Sequence, residues 1–207
     1  MNAIDILKLS PIVPVVVLDD ADHAIPLAEA LLEGGISIME ITLRSDAALA
    51  SIERIAGRLP DMHVGAGTVL DAQQMLKVCD AGGQFSFSPG ISDELLECAA
   101  KNSIPFIPGI ATASEVMLAM RNDIQGCKLF PASAVGGIDL LKGFAGPFAD
   151  MQFCPTGGIS LDNMKDYLAL PNVLCVGGSW IVPKQSVAAG DFGRITGLCR
   201  EALALVS

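Results

Sequence analysis

The sequence of 207 residues contains few charged residues (17%) and few aromatic residues (5%). Lysine and arginine number 13 against 23 aspartates and glutamates, and the basic residues form no cluster. Because binding to a phosphate backbone depends on clustered lysine and arginine, the net charge of −10 argues against a nucleic-acid partner. We therefore expect small molecules or further copies of this chain as partners.

Motifs typical of several other protein classes are also missing. The six cysteines include no C-x-x-C pair, and no histidines and acidic residues have the spacing of metal ligands. We therefore expect reduced core cysteines, no metal and no other cofactor. The sequence also lacks an apolar run of the roughly 18 residues that a membrane span requires, and a basic start followed by a long apolar stretch. We expect a cytoplasmic protein that does not contact a membrane.

Hydrophobic residues make up 51% of the chain, and they recur in short runs with helical stretches between them. The predicted strand ends are Val17, Thr42, Thr68, Ser88, Ile107, Phe130, Thr156 and Gly178. This repeat predicts eight βα units in a compact (β/α)8 TIM barrel, preceded by a short N-terminal helix. A doubly wound open sheet has the same alternation, and the strand count favours the barrel. Because no linker divides the chain, we expect one domain over residues 1–207, closed by a final helix over residues 191–206.

Polar residues cluster at the predicted strand ends, where a barrel of this kind has its active site. Along the second strand, Glu40, Thr42 and Arg44 alternate with apolar residues and therefore share one face. If the apolar face packs under the helices, the polar face points into the barrel. A structural ion pair between Glu40 and Arg44 is the alternative, although four residues along an extended strand is a long distance for such a pair.

Lys128 lies in the apolar segment from Gly126 to Pro131. A buried ammonium without a partner is costly, and a buried neutral amine is a nucleophile that can form a Schiff base with a carbonyl substrate. The side chain could instead end the strand and extend to water. If Lys128 and Glu40 meet inside the barrel, the carboxylate favours the ammonium, while burial and a nearby Arg44 favour the neutral amine. The sequence leaves this balance open.

Two glycine-rich turns follow the predicted seventh and eighth strands, at Gly157-Gly158 and at Gly177-Gly178. Glycines let backbone N–H groups approach an anion, and barrels of this class often bind phosphate after these two strands. Tight turns without a ligand are the alternative. Gly65 and Gly67, before Thr68, are less informative because small residues can simply relieve crowding. We expect structural roles for His23 and His63, and Trp180 could lie at the rim of the site.

The motifs in their order along the chain resemble the family of 2-keto-3-deoxy-6-phosphogluconate (KDPG) and 4-hydroxy-2-oxoglutarate (KHG) aldolases. They are Glu40-Ile41-Thr42-Leu43-Arg44, Gly65-Ala66-Gly67-Thr68-Val69, Ser88-Pro89-Gly90, Ile107-Pro108-Gly109, Lys128-Leu129-Phe130-Pro131-Ala132, Phe153-Cys154-Pro155-Thr156-Gly157-Gly158-Ile159 and Gly177-Gly178-Ser179-Trp180. The resemblance runs from about Ile12 to the C-terminus and implies a metal-independent class I aldolase on a trimeric TIM barrel. The expected reaction is cleavage of KDPG to pyruvate and glyceraldehyde 3-phosphate.

The resemblance also assigns roles to individual residues. It implies that Lys128 forms the Schiff base and that Glu40 moves protons. The implied substrate-binding residues are Arg44 and Thr68 for the pyruvyl carboxylate, Pro89 and Phe130 for that pocket, Thr156 near the reacting end, and Gly157, Gly158 and Ser179 for the phosphate. Ala132-Ser133-Ala134, where relatives often have a glutamate, lies outside this set.

Other functions stay open at this point. The same mechanism could act on KHG or on 2-keto-3-deoxy-6-phosphogalactonate. A phosphate-binding isomerase or synthase could use Glu40 as its base with Lys128 as an electrostatic clamp. A barrel that only binds phosphorylated metabolites is the third class, and the presence of both Lys128 and Glu40 argues against it.

Overall fold

Parallel strands form the centre of the computed structural model, which describes residues 1–206. The strands within this range are β1 (Ile12–Val16), β2 (Ile38–Thr42), β3 (His63–Gly67), β4 (Ser86–Phe87), β5 (Phe106–Ile107), β6 (Gly109–Ile110), β7 (Gly126–Leu129), β8 (Gln152–Pro155) and β9 (Val176–Gly178). Each predicted strand end lies within one residue of an observed one, so these positions are confirmed.

Helices follow most of the strands. They are α1 (Ala3–Leu7), α2 (Ala24–Glu33), α3 (Ala48–Arg58), α4 (Ala72–Asp80), α5 (Asp93–Asn102), α6 (Ala113–Arg121), α7 (Gly137–Ala145), α8 (Met164–Leu168), α9 (Lys184–Ala188) and α10 (Phe192–Ala204), with 3₁₀ turns at Ala21–His23 and Ala132–Val135. The side chains of Asp71 and Ser92 cap α4 and α5, and Thr112 and Glu115 form a capping box on α6. These caps satisfy N–H groups that have no partner inside a helix, which is why the helices begin there.

The strand order distinguishes a barrel from a doubly wound open sheet, the two folds that the alternation of strands and helices allowed. The first sheet runs β5-β4-β3-β2-β1-β9 and the second runs β6-β7-β8. The strands follow the chain without the central reversal of a doubly wound sheet, so that alternative is wrong. The result is an α/β fold whose parallel sheet curls into a half-barrel.

The described chain has nine strand segments where eight strands were predicted. Pro108 separates β5 from β6 and has no N–H to donate to a ladder, so the fifth predicted strand is divided into two pieces. Each piece pairs with a different neighbour, β5 with β4 and β6 with β7.

Register determines which strand positions lie at the same level. Glu40 on β2 is opposite Val15 on β1 and Gly65 on β3. Lys128 on β7 is opposite Gly109 on β6 and Cys154 on β8. Because successive residues of a strand point to opposite faces, every second residue along β2, β3, β7 and β8 points to the same side.

The N-terminal end of β7 is covered by the predicted N-terminal helix, which is confirmed as α1. Ile4 and Leu7 of α1 pack so closely on β7 that a Cβ on Gly126 would lie 3.2 and 3.0 Å from their side chains. All buried apolar side chains of the described chain except that of Val15 belong to one contiguous cluster. Four residues that follow the carboxyl ends of strands are exposed, so this is the open end of the fold: Arg44, Pro89, Gly158 and Ser179.

Candidate active site

Lys128 and Glu40 meet in the interior although 88 residues separate them in the sequence. Lys128 Nζ lies 3.0 Å from Glu40 Oε1 and 3.4 Å from Oε2. Lys128 is 5% exposed and Glu40 is 1% exposed, so water hardly screens this pair. Loss of one partner would leave the other as an unpaired buried charge, which costs about 3–5 kcal/mol.

Two phenylalanine rings flank the lysine. The Nζ atom lies 5.4 Å from the centre of the Phe87 ring and 5.3 Å from that of the Phe130 ring. Both distances are within the range of cation–π contacts. Phe130 was predicted to shape the pocket, whereas sequence reasoning missed Phe87. Phe87 ends the two-residue strand β4, which is too short for its inward face to be read from an alternating pattern.

Arg44 and Thr42 form a second polar group on the same face of β2. The Arg44 Nε–H donates to Thr42 Oγ1 over 3.2 Å, and the Thr42 hydroxyl donates to the Val16 carbonyl over 2.9 Å. The alternative of a Glu40–Arg44 ion pair is wrong, because Glu40 pairs with Lys128. In residues 1–206 the exposed Arg44 has no carboxylate partner, so its guanidinium can bind an anion that enters from the open end.

Thr68 and Pro89 follow β3 and β4 at this open end. Thr68 is half-buried and has a φ of 58°, a left-handed conformation that β-branched residues rarely adopt. Such strain costs on the order of 1–3 kcal/mol and is often found at functional sites. Pro89 is exposed, and its backbone fills the space in front of Gly109, where a Cβ would lie 2.3 Å from the Pro89 carbonyl group.

Thr156 lies at the end of β8 and is 6% exposed. Its hydroxyl donates a long hydrogen bond of 3.4 Å to the Cys154 carbonyl. A parallel bridge connects Thr156, which follows β8, to Gly177 of β9. A Cβ on Gly177 would lie 2.1 Å from Thr156 Oγ1, so the absence of a side chain there leaves space for the hydroxyl. The bridge also brings the glycine turns after β8 and β9 close together.

The turn after β8 is held by its carbonyl groups. Gly157 and Gly158 have φ values of 97° and 78°, which favour glycine. The Gly157 carbonyl accepts from the Ser133 N–H over 3.0 Å, and the Gly158 carbonyl accepts from Asn163 Nδ2 over 2.9 Å. Sequence reasoning did not identify Ser133 and Asn163 as supports of this turn, because such contacts follow from the fold and not from a local motif.

Two backbone N–H groups at these turns have no hydrogen-bond acceptor within the described chain: those of Gly158 and Ser179. Gly158 and Ser179 are exposed, and Gly157 is half-buried. Unpaired N–H groups at exposed glycine turns are suited to bind an anion. The phosphate-binding role of Gly157, Gly158 and Ser179 stays a prediction.

The thiols of Cys127 and Cys175 are completely buried. A hydrogen bond with Cys154 and burial raise the pKa of the Cys175 thiol, so it is protonated at neutral pH. Burial also raises the pKa of Cys127 on β7. Neither thiol therefore competes with Lys128 as a nucleophile.

The two histidines lie away from the lysine. The His23 ring packs edge-on against Phe192, and His63 Nδ1 contacts Gln84 Oε1 over 2.7 Å at the start of β3. Among residues 1–206, no three histidine, cysteine, aspartate or glutamate side chains are arranged to hold a metal ion. Over the same range, no helix has the length and apolar character of a membrane span.

Comparison with known proteins gives one consistent family. Residues 3–198 match the sequence model of the KDPG and KHG aldolases. A 2-dehydro-3-deoxy-phosphogluconate aldolase of Dickeya dadantii is 51% identical, and a KHG/KDPG aldolase of Escherichia coli K12 is 50% identical; each alignment covers 98% of this chain and 95% of the relative.

A solved structure agrees with these matches. The KDPG aldolase of Legionella pneumophila, with pyruvate captured at low pH as a covalent carbinolamine intermediate, superposes with a TM-score of 0.96. It is 44% identical, and the match covers 98% of both chains. The sequence match, the parallel fold and the buried lysine–glutamate pair agree: this chain belongs to the KDPG and KHG aldolase family and is a carbon–carbon lyase.

Proposed function

We propose that this chain cleaves KDPG to pyruvate and glyceraldehyde 3-phosphate through a Schiff base on Lys128. The observation that carries the proposal is the buried contact of 3.0 Å between Lys128 Nζ and Glu40 Oε1. It supplies a nucleophile and a proton carrier in one place that is screened from water. The covalent carbinolamine in the Legionella pneumophila relative supports the same chemistry.

The first half of the reaction forms the imine. One proton passes from the Lys128 ammonium to the Glu40 carboxylate along their hydrogen bond, and the neutral amine attacks the C2 keto carbon. The new oxyanion takes a proton from Glu40, the attacking nitrogen returns one to Glu40, and the product is a neutral carbinolamine. Glu40 then protonates the C2 hydroxyl, water leaves, and an iminium ion and a Glu40 carboxylate result.

The second half breaks the carbon skeleton. The Glu40 carboxylate removes the proton of the C4 hydroxyl, and the electrons of the C3–C4 bond move to the iminium nitrogen. Glyceraldehyde 3-phosphate leaves, and an enamine and a protonated Glu40 result. Glu40 then protonates C3, and addition of water to the pyruvyl iminium ion releases pyruvate and restores Lys128. The iminium ion accelerates cleavage because it accepts these electrons far better than a ketone does.

The substrate-binding roles extend this proposal to the open end of the fold. Arg44 and Thr68 bind the pyruvyl carboxylate, and Pro89 and Phe130 enclose the methylene group of C3. The unpaired guanidinium of Arg44 supports its role. Cys154 lies opposite Lys128 on the neighbouring strand, and its thiol contacts the Thr156 hydroxyl. This position of Thr156 supports a contact between its hydroxyl and the C4 hydroxyl of the substrate. The turns at Gly157, Gly158 and Ser179 bind the phosphate, and the unpaired N–H groups of Gly158 and Ser179 support this role.

The substrate assay tests this function directly. KDPG is added to the purified chain, and pyruvate is measured through lactate dehydrogenase and NADH. We expect cleavage by the wild-type chain, and a decrease in kcat of at least roughly 10³-fold for Lys128→Arg, which keeps the charge but cannot supply a neutral amine. Absence of cleavage by the wild-type chain would refute the proposal.

KHG is the second candidate substrate, because the Escherichia coli relative is a KHG/KDPG aldolase. The same imine chemistry would release pyruvate and glyoxylate. KHG has a C5 carboxylate and lacks the phosphate that the glycine turns are proposed to bind. The ratio of kcat/KM on KDPG, on KHG and on 2-keto-3-deoxy-6-phosphogalactonate decides between these substrates.

A closed eightfold barrel and a single domain are further parts of the proposal. Pro108 alone lies between β5 and β6, and parallel bridges from Phe153 to Val173 and from Thr156 to Gly177 connect β8 to β9. These connections support one continuous ring of strands, and the single apolar cluster supports one domain. One cooperative unfolding transition and a crystal structure without an open edge between β8 and β9 are the expected results.

We also propose a homotrimer. Exposed apolar side chains lie on the loop before α4, on α4 and on α6, at Leu70, Leu76, Met117 and Met120. Such residues are suited to an interface between copies. Light scattering should give three times the chain mass, and Met117→Asp should lower it. A cytoplasmic location stays part of the proposal, supported by the free thiols of all six cysteines.

A further inference from the structure

The inward face of β3 carries no side chain next to the catalytic pair, because Gly65 and Gly67 occupy two successive positions on that face. The side chains of Phe85, just before β4, and of Glu40 on β2 cover these glycines. The Phe85 ring comes from one side, where a Cβ on Gly65 would lie 2.4 Å from it, and Glu40 comes from the other. Glycine in the middle of a strand weakens it, so two such residues indicate a close approach of other groups.

The approach is closest between Gly67 and Glu40. An ideal Cβ on Gly67 would lie 1.8 Å from Glu40 Oε1, and 2.5 and 2.6 Å from Glu40 Cδ and Cγ. The atom that occupies this space, Oε1, is also the atom 3.0 Å from Lys128 Nζ. A methyl group on Gly67 would therefore displace the oxygen that carries the proton in the proposed reaction.

We infer that Gly67 is a positioning residue, which holds the Glu40 carboxylate against Lys128 by leaving it the space of a side chain. This inference rests on the proposed function for its kinetic part. Real Cβ atoms do not approach other atoms below about 3.0 Å, so an alanine requires Oε1 to move by at least about 1.2 Å. A misplacement of about 1 Å can cost 10²-fold in rate.

Other glycines of the chain have space for a side chain, which provides a control for Gly67. Gly57 in α3 has no atom within 4 Å of an added Cβ, so Gly57→Ala is a matched control that introduces the same methyl group without contact. We expect Gly67→Ala to lower kcat by roughly 10²-fold while KM for KDPG changes less than about threefold, because Gly67 has no side chain with which to bind substrate. Gly57→Ala should leave both constants unchanged.

A double-mutant cycle separates positioning from general damage. In a Glu40→Gln background the carboxylate chemistry is already lost, so we expect Gly67→Ala to lower the residual kcat by less than about threefold. General damage to the fold would lower kcat by the same factor in both backgrounds. Equal factors, or an unchanged kcat for Gly67→Ala in the wild-type background, would overturn the inference.

Thermal unfolding tests the same contact without catalysis. Gly67→Ala should lower the melting temperature by about 3–10 °C, as overpacking does. The decrease should vanish in the Glu40→Ala/Lys128→Met background, where the space is empty and both charges are gone. If Gly67→Ala alone does not fold, the triple variant Gly67→Ala/Glu40→Ala/Lys128→Met should fold. If the double variant Glu40→Ala/Lys128→Met folds and the triple variant does not, the inference is overturned. A wild-type chain without aldol cleavage would refute only the proposed function.

Discussion

The buried pair of Lys128 and Glu40 predicts an unusual stability pattern. Glu40→Leu and Lys128→Met each remove one charge and leave the other buried without a partner. The double variant Glu40→Leu/Lys128→Met replaces both charges by apolar side chains of similar volume. We expect each single variant to be strongly destabilised and the double variant to be at least as stable as the wild-type chain.

The magnitude follows from the geometry. Two unit charges 3.0 Å apart attract by roughly 5–6 kcal/mol at an effective dielectric constant of about 20. The cost of removing both groups from water offsets most of this attraction, because they are 1% and 5% exposed. Each single substitution should therefore lower the free energy of unfolding by about 3–5 kcal/mol, whereas the double substitution should change it by about 0 to +4 kcal/mol.

Urea unfolding at pH 7, followed by circular dichroism, measures these free energies. The matched control is the cycle of Arg200 and Glu33, which are also 3.0 Å apart but are 60% and 68% exposed. Its coupling should be at most about 1 kcal/mol. The reasoning is refuted if the double variant loses as much stability as the sum of the two single variants, because that result would mean that the charges are solvated independently.

Three further outcomes follow from residues of the site and the core. Thr68→Gly relieves the strain at φ 58° and should raise the melting temperature by about 2–4 °C while it weakens pyruvate binding; a lower melting temperature would contradict the strain. Arg44→Lys loses a bidentate carboxylate contact and should raise the half-saturating pyruvate concentration about 10-fold, measured by trapping at several pyruvate concentrations. Burial raises the pKa of Cys199 to about 11 from an unfolded value of 9.0, so the folded state holds this proton more tightly and loses stability as pH rises from 9 to 11. In urea unfolding between pH 9 and 11, Cys199→Ala should lose less stability than the wild-type chain. Equal losses would refute the claim that the Cys199 thiol causes this loss.

Much of the fold follows from local features of the sequence. The apolar runs that end near Thr42 and Gly178 predict strands because each is short and followed by a turn. Asp71 and Thr112 predict the starts of α4 and α6 because their side chains satisfy local N–H groups, a contact within three residues. The separate strand at Gly109–Ile110 was missed because the chain pairs with β4 before Pro108 and with β7 after it. Strands that pair lie far apart in the sequence, so a local pattern does not show this change.

The candidate site could be predicted in part. The alternation along β2 predicted that Glu40 faces inward, and the apolar surroundings of Lys128 indicated that it is buried. Because β2 and β7 line the same interior, the two side chains are in contact. The roles of Phe87 and Gly67 could not be predicted, because each depends on how closely side chains of different strands approach. Distances of this kind are set by packing of the whole fold.

Reduction with borohydride in the presence of pyruvate tests the central claim most directly. Borohydride converts the imine to a stable secondary amine, and trypsin does not cleave after a modified lysine. We predict that mass spectrometry finds the pyruvyl adduct on one uncleaved peptide from Asn122 to Lys142, which contains Lys128, and finds none in Lys128→Arg. An adduct on another lysine, or no adduct in a wild-type chain that cleaves KDPG, would contradict the Schiff-base mechanism at Lys128.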